Sequence, residues 1–309
     1  MVLVSVVLPC YNEAQNIEEL YKQTIKQFVN LSWYDYELIF IDNASTDNTV
    51  ALIKEIIEKD KKVKLIVNSR NFWHIRSPYY ALLQSSGDAT ILMATDLQEP
   101  PSLISKFIKK REEGFKIVKG VKTASKESTI MFFIRKVFYN FINNLSDVTL
   151  TKNHTGFGLY DKKIIEILRG IDEPYPYFRG LLSEIGFDFA TVEYTQLARK
   201  RGITKNNFYT LYDMAMAWFT NHSKVPLRLA VFIGLIFSCT SFLIWVIYLI
   251  AKLIFWNSFQ FWLAPILIGT FFFFSVQLLF LGILGEYIGA IYTQVKKRPL
   301  VIEKERINF

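Results

Sequence analysis

The sequence predicts an α/β fold built on a mainly parallel sheet, followed by a C-terminal two-helix transmembrane hairpin. Three observations carry that prediction. Apolar, β-branched runs alternate with helical spacings in the order β-α-β-α-β-α-β through the first hundred residues, as in a parallel sheet covered by helices on both faces. Those strand runs end on polar or acidic loops. Two long stretches, from Leu227 to about Ala251 and from about Phe259 to Ile288, carry almost no charge.

The first strand is "LVSVVLPCYNE", a β-branched run broken by Pro9. In "EAQNIEELYKQTIKQFV" the apolar residues Ile17, Leu20, Tyr21, Ile25 and Phe28 recur at helical spacing. "YELIFIDNASTDNT" is the second strand, ending on Asp42, and Thr46 and Asp47 are candidate N-caps for the helix "TVALIKEIIEKD". "VKLIVNS" is the third strand, "YYALLQSS" a helix, and "DATILMATD" the fourth strand, which delivers Asp96 just before Pro100 and Pro101. Residues 125–147 interleave basic and aromatic side chains at helical spacing and read as a helix at a membrane surface. The stretch 206–223 reads the same way and runs into the first apolar segment.

Each apolar segment exceeds the roughly 20 residues that cross a ~30 Å hydrocarbon core. The link "KLIFWNSFQFW" is short and aromatic, as at a membrane interface. Lys224 and Arg228 precede the first segment and Lys296, Lys297 and Arg298 follow the second, with Lys252 alone on the hairpin side. The positive-inside rule therefore places the N-terminal part and the tail in the cytoplasm, on the inner membrane of a multi-pass protein. The opening "MVLVSVVLPC" has no basic leader and reads as a strand. The two cysteines, Cys10 and Cys239, fall in different regions and predict no disulfide. The net charge of +8 suits an anionic lipid surface. The positives form no single tract with aromatic partners, which excludes nucleic acid as the expected ligand.

Ligands of such sheets bind beyond the carboxyl ends of the strands. Pro9 to Glu13, Asp42 to Asp47 and Asp96 to Gln98 all fall there. Acidic and amide oxygens at that edge suit a hard divalent cation held together with substrate phosphates, or the ring and ribose of a nucleotide. No GxGxxG or GxxxxGK[ST] loop is present, so neither a dinucleotide fingerprint nor a P-loop is expected.

The stretches "SVVLPCYNE", "IFIDNASTDNT", "NSRNF", "SSGDATILMATDLQEPP", "FRGLLSEIGF" and "RKRGITKNNFYTLY", with the two-segment tail, resemble family-2 glycosyltransferases of the polyprenyl-phosphate type. Within that type the chain looks most like bactoprenol glucosyltransferases and dolichol-phosphate mannose synthases. The resemblance implies a GT-A fold and an inverting transfer of a sugar from a nucleoside diphosphate to polyprenyl (undecaprenyl) phosphate, for cell-envelope polysaccharide or O-antigen decoration. It also implies Mg²⁺ or Mn²⁺. It divides the chain into a cytoplasmic catalytic domain (1–205), a juxtamembrane amphipathic helix (206–225), two transmembrane helices (226–289) and a cytoplasmic tail (290–309).

Position by position, the resemblance assigns the nucleotide to Pro9, Tyr11, Asn12, Glu13 and Asp42. It assigns the metal to Asp96 and Gln98, and the phosphates to Arg199 and Lys205. Arg suits this work because its fork matches phosphate oxygens. Arg179 matches a basic residue on the acceptor side, and Arg135, with Lys136 beside it, is a second candidate for the acceptor phosphate or for lipid headgroups. The chain departs from the pattern at Ala94, Asn43, Ala44 and Trp73, where the family usually has Asp, Asp, Gly and Gly. In "TGFGL", Gly156 and Gly158 stand for the usual Asp and Arg. Glu184 is the candidate replacement carboxylate; as a solvated helix residue it would have no such role. Asp161 reads as a helix cap, His74 as a loop-packing residue, and His154 lies beside the altered stretch. The losses leave a second reading open, a non-catalytic member that binds nucleotide sugar or scaffolds partners. Small residues in "GILGEYIGA" (282–290) offer helix contacts for a homo-oligomer.

Overall fold

The computed structural model describes residues 1–123, 151, 153–197, 225–254 and 263–309. The first half alternates as the sequence predicts: β1 (Val2–Cys10), α1 (Ala14–Val29), β2 (Tyr34–Asp42), α2 (Thr49–Lys59), β3 (Val63–Asn68), α3 (Trp73–Leu83) and β4 (Ala89–Leu92). A turn of 3-10 helix leads into α4 (Ile104–Glu112), followed by β5 (Ile117–Lys122). Then come β6 (His154–Asp161), α5 (Lys162–Arg169), α6 (Phe178–Glu184) and β7 (Phe189–Tyr194). Two long helices, α7 (Val225–Ile254) and α8 (Leu263–Val295), precede a last strand, β8 (Glu303–Ile307).

Among the described residues the strands form one eight-stranded sheet in the order β7-β5-β6-β4-β1-β2-β3-β8. β1, β2, β3 and β4 run parallel to their neighbours in that group. β6 runs antiparallel to both β4 and β5, and β8 antiparallel to β3. The central strands are buried on both faces: Val4, Val6, Val7 and Leu8 of β1 and Leu38 to Ile41 of β2 have no exposed surface, as expected of strands sandwiched by helices. α1 turns Ile17, Leu20, Thr24 and Phe28 inward, one stripe of an amphipathic helix. α5 starts on Asp161, whose side chain accepts from the Lys163 amide at 3.2 Å, the capping role its sequence predicts.

α7 and α8 are 30 and 33 residues long. By length and composition Phe272–Val295 is a candidate membrane span, and α7 contributes a shorter apolar stretch, Leu229–Ile244. They touch through Phe237, whose ring lies 5.8 Å from that of Phe272 and 5.9 Å from that of Phe273. The link 255–262 and the expected surface helices at 125–147 and 206–223 lie outside the described residues.

The stretch read from sequence as a tail does more than trail. α8 continues to Val295, and the chain then returns as β8 along the free edge of β3. Lys54 holds Glu305 at 2.7 Å and Tyr80 donates to Glu303 at 2.9 Å. The end of the long apolar helix is thereby tied to the sheet that carries the candidate site.

Candidate active site

β1 and β2 pair in register with Cys10 opposite Asp42, so both strands release the chain at one level. The Asn43 amide still donates to the Cys10 carbonyl at 3.0 Å. Beyond that point both backbones turn through the left-handed region, at Asn12 (φ 56°) and Ala44 (φ 62°). Asp42 is fully buried, and its carboxylate accepts from the Ser45 amide at 2.8 Å and from the Ser45 hydroxyl. Burial pushes its pKa up, against those two bonds.

The Asn12 amide donates to Ser45 Oγ, and the Thr46 amide to Asn12 Oδ1, both at 2.8 Å. The Glu13 amide donates to Thr49 Oγ1 at 2.9 Å, while Asn16 donates to the Glu13 carboxylate at 2.6 Å. Asp47 accepts from the Thr49 amide at 3.0 Å and the Ala14 amide at 3.3 Å, capping α2 and α1 together. Burial opposes ionisation of Asp47, and these bonds outweigh it, holding its pKa below the ordinary range. Asp47 thus joins the two loops from just outside α2, whose N-cap is Asn48 rather than Thr46 or Asp47.

Asn43, at the usual position of a second acid, is a hub. Its Oδ1 accepts from the Phe72 amide at 2.8 Å and from Asn68 at 3.2 Å, and its Nδ2 donates to Asn71 Oδ1 at 2.9 Å and to the Trp73 carbonyl at 3.4 Å. A carboxylate has no hydrogen to donate and meets only half of those partners. The amide therefore fastens the loop after β3 to the end of β2. Trp73, held in that loop at φ 65°, is 60% exposed.

Beyond β4, Thr95 donates to the Pro9 carbonyl at 2.9 Å and ties this turn to the β1 loop. Asp96 accepts from the Gln98 amide at 3.2 Å, closing a turn whose middle residue, Leu97, has φ 59°. Gln98 accepts from Gln196 at 3.0 Å and donates to the Leu197 carbonyl at 3.4 Å. Glu99 is buried and spans the site: it accepts from the Ala94 amide at 2.8 Å and from Thr155 of β6 at 3.0 Å. Burial raises its pKa to about 7, with the nearby Asp96 charge adding to the rise.

The glycines of β6 are fixed by geometry. Gly156 has φ 102°, a conformation side chains rarely adopt, and a Cβ on Gly158 would lie 2.3 Å from the Val118 carbonyl oxygen. The usual acid and Arg cannot be accommodated on this backbone without a shift.

Behind β6, Arg179 of α6 donates to the His154 carbonyl at 3.0 Å and stacks 5.1 Å from the Tyr177 ring. His154 is buried, its Nδ1 lies 3.0 Å from the Gly120 carbonyl, and burial pushes its pKa down to about 3. It is therefore neutral at physiological pH and a poor proton acceptor. Glu184 closes α6 and faces Glu173, whose pKa burial, with Glu184 second, raises to about 7. His74 sits in the first turn of α3, within the field of Arg179.

The structure thus brings Pro9, Asn12, Glu13 and Asp42 to one edge with Asp96 and Gln98. Tyr11 lies between them in the β1 loop. Arg135, Lys136, Arg199 and Lys205 lie outside the described residues. Among the described residues no group of three or more His, Cys, Asp or Glu side chains forms a metal cluster. Sequence reasoning missed Asn43 as a hub, the bond of Asp47 to the first amide of α1 and Glu99 as a bridge. Glu99 had a visible signal, an acid next to the Asp96–Gln98 turn and before two prolines.

A family model described as "Glycosyl transferase family 2" matches residues 5–168. The chain is 35% identical to an uncharacterized glycosyltransferase, YkcC, of Bacillus subtilis (strain 168), over 96% of this chain and 92% of that protein. It is 33% identical to the SfII prophage-derived bactoprenol glucosyl transferase of Shigella flexneri, over 98% of this chain and 97% of that one. Among solved structures it is similar to glucosyl-3-phosphoglycerate synthase from Mycobacterium tuberculosis in complex with phosphoglyceric acid. That match has 21% identity and a TM-score of 0.49, covering 71% of this chain and 78% of the other.

Proposed function

The chain belongs to glycosyl transferase family 2 and is a glycosyltransferase of GT-A fold, and from that premise we propose that it moves a sugar from a nucleoside-diphosphate sugar to polyprenyl phosphate at the cytoplasmic face of a membrane. The observation that supports this most is the hydrogen-bonded convergence of the loops after β1, β2 and β4, through Asn12 with Ser45 and Thr46 and through Thr95 with Pro9, with Asp96 in the β4 turn. The similarity to bactoprenol glucosyl transferase over nearly the whole of both chains supports the acceptor. The long apolar helix α8 supports membrane attachment, and we extend it to the two-span hairpin that both apolar segments suggest.

We assign the nucleoside to the β1 and β2 loops, where Pro9, Tyr11, Asn12 and Glu13 line the edge and Asp42 sets the turn from beneath. The diphosphate falls to Asp96 and Gln98, with Arg199 and Lys205. A hard cation such as Mg²⁺ needs only one or two carboxylates when substrate phosphates complete its shell. Asp96 with the carboxamide oxygen of Gln98 fits that requirement, although Ala94 supplies nothing. Such an ion, when bound, would neutralise charge on the departing diphosphate.

The reaction then needs little proton chemistry. A lipid phosphate is already ionised near neutral pH, so its oxygen attacks the anomeric carbon as the bond to the diphosphate breaks, with inversion. Arg179 and Arg135 are the proposed acceptor contacts, and Glu184 orients that side. Positioning and charge stabilisation carry the rate. A homo-oligomer through the small residues of 282–290 belongs to the same proposal.

The rigid glycines of β6 favour a second reading, a member that binds nucleotide sugar without turnover. A panel of radiolabelled nucleotide sugars with Mg²⁺ or Mn²⁺ and undecaprenyl phosphate separates the two. Labelled lipid from at least one donor is expected, and nucleotide binding with no lipid product from any donor would establish the second reading.

A further inference from the structure

Beside the point where α8 leaves its apolar stretch, several cations gather. The Arg76 guanidinium, in the first turn of α3, donates to the Pro299 carbonyl just past α8. Its Nε is buried with no hydrogen-bond partner. Its guanidinium carbon stacks 5.5 Å from the Phe72 ring centroid, and that of Arg70 lies over the same ring at 4.1 Å. Burial lowers the Arg76 pKa, and Arg70 and Arg298 lower it further against an opposing influence from Tyr175. Among the described residues no carboxylate pairs with Arg70, Arg76 or Arg298. Asp172 lies 3.7 Å from Lys297, and Glu173 is held by Gln294.

Trp73 stands in the same turn, 60% exposed. Its positive φ of 65° carries a strain that only a constraint from outside the side chain sustains, and Asn43 and Asn71 hold its backbone at both ends. An exposed indole flanked by guanidinium groups without carboxylate partners matches the headgroup layer of a bilayer, where Trp sits at the interface and Arg meets phosphate. The candidate span Phe272–Val295 has 24 residues, about 36 Å of helix at ~1.5 Å per residue. That length crosses the hydrocarbon and ends in the headgroups, within a few residues of Pro299.

We propose that Arg70, Arg76 and Arg298, with Trp73 between them and the bilayer, form a docking surface for the phosphate headgroups of anionic phospholipid. The surface rests the carboxyl edge of the sheet against the membrane. The proposal rests on reading α8 as a membrane span, and its test does not depend on turnover.

The full chain carrying Ser69→Cys and Cys239→Ala is labelled at position 69, exposed next to Arg70, with an environment-sensitive fluorophore, Cys10 being buried. It is placed in nanodiscs of phosphatidylcholine alone or of equimolar phosphatidylcholine and phosphatidylglycerol, each with a lipid-borne quencher. Quenching is expected in the anionic discs and little in the neutral ones. Each of Arg76→Gln and Arg298→Gln lowers the docked-to-undocked ratio about fivefold, and Arg76→Lys retains it. A label at Trp33→Cys, 81% exposed where the chain enters β2 at the opposite end of the sheet, stays unquenched. Equal quenching in both lipids, no response to the Gln variants, or equal quenching at position 33 would overturn the proposal. So would release of the label by added nucleoside diphosphate, which would give these arginines to the sugar donor.

Discussion

The two halves of the candidate site are built differently. On the β1–β2 side, polar side chains are used to bind the loops to one another: Asp42 to Ser45, Asn12 to Thr46, Asp47 to both α1 and α2. On the β4–β6 side, acids and an arginine common in the family are replaced by Ala94, Gly156 and Gly158, and a single buried acid, Glu99, bridges the gap between Ala94 and Thr155. The contrast separates a cross-linked frame, to which we assign the nucleotide, from a rebuilt region, to which we assign the reacting groups. It also means that the missing side chains have not simply left gaps. At position 158 the Val118 carbonyl of β5 fills the space a side chain would need, and at position 156 the backbone holds φ 102°, which side chains rarely adopt.

The strongest challenge to this contrast is Asp96→Asn. If the rebuilt side still performs transfer, turnover falls about 100-fold or more, the cost of removing one charge-stabilising group. Nucleotide binding measured by titration changes far less, because the β1–β2 frame is intact. A variant with undiminished turnover would mean that the chemistry lies elsewhere.

Gly158→Arg tests whether the family residue can be put back. A Cβ at this position would meet the Val118 carbonyl oxygen at 2.3 Å, and overpacking of this kind costs about 3 kcal/mol. A large loss in thermal midpoint with no gain in turnover is expected. Unchanged stability would show that β6 is free to open.

Asn43→Asp puts the usual acid back on the other side. It loses both donated bonds, to Asn71 and the Trp73 carbonyl, and leaves part-buried acceptors facing a carboxylate, at a cost of about 1–3 kcal/mol. The midpoint falls and the 68–73 loop exchanges amide hydrogen faster.

These expectations mark where sequence was sufficient and where it was not. The alternation of apolar runs located the four parallel strands, and the carboxyl-edge rule pointed to the edge where the loops after β1, β2 and β4 are hydrogen-bonded to one another. Asn43 reads in sequence as a lost acid, because its four partners come from the β3 loop and are brought to it only by folding. Glu99 hides for the same reason, since Thr155 is 56 residues away along the chain. β8 has the alternation of an edge strand but the composition of a charged tail, and only its pairing with β3 identifies it. Ala44 and Trp73 look like plain substitutions for glycine, and their left-handed backbone shows that the turn was kept while the residue that suits it was not.

Glu99→Gln addresses the electrostatics of the rebuilt side. The folded pKa of Glu99 is raised from 4.5 to about 7. Its contribution to stability is therefore fullest below pH 4.5 and is lost as pH rises through 7. That loss is on the order of 3 kcal/mol. The Gln variant gives up one bond and is less stable at acid pH, but its midpoint falls less between pH 5 and 8. A slope equal to that of the unaltered chain would place the titration elsewhere.

The mildest change comes from Ala44→Gly. Removing the Cβ at φ 62° relieves left-handed strain and returns some chain entropy to the unfolded state, a net gain of about 0.5–1 kcal/mol. A raised midpoint at constant nucleotide affinity is expected, and a lowered one would show that the methyl group packs usefully.

A single-turnover experiment decides whether one site both holds a nucleotide sugar and passes its sugar to a lipid phosphate. Labelled donor is bound to the membrane-reconstituted chain, excess donor is removed, and undecaprenyl phosphate is added. Label is expected to move into the organic phase only after the lipid arrives, and not in the Asp96→Asn variant. Label that stays on the nucleotide, or leaves as free sugar in water, would contradict transfer at this site.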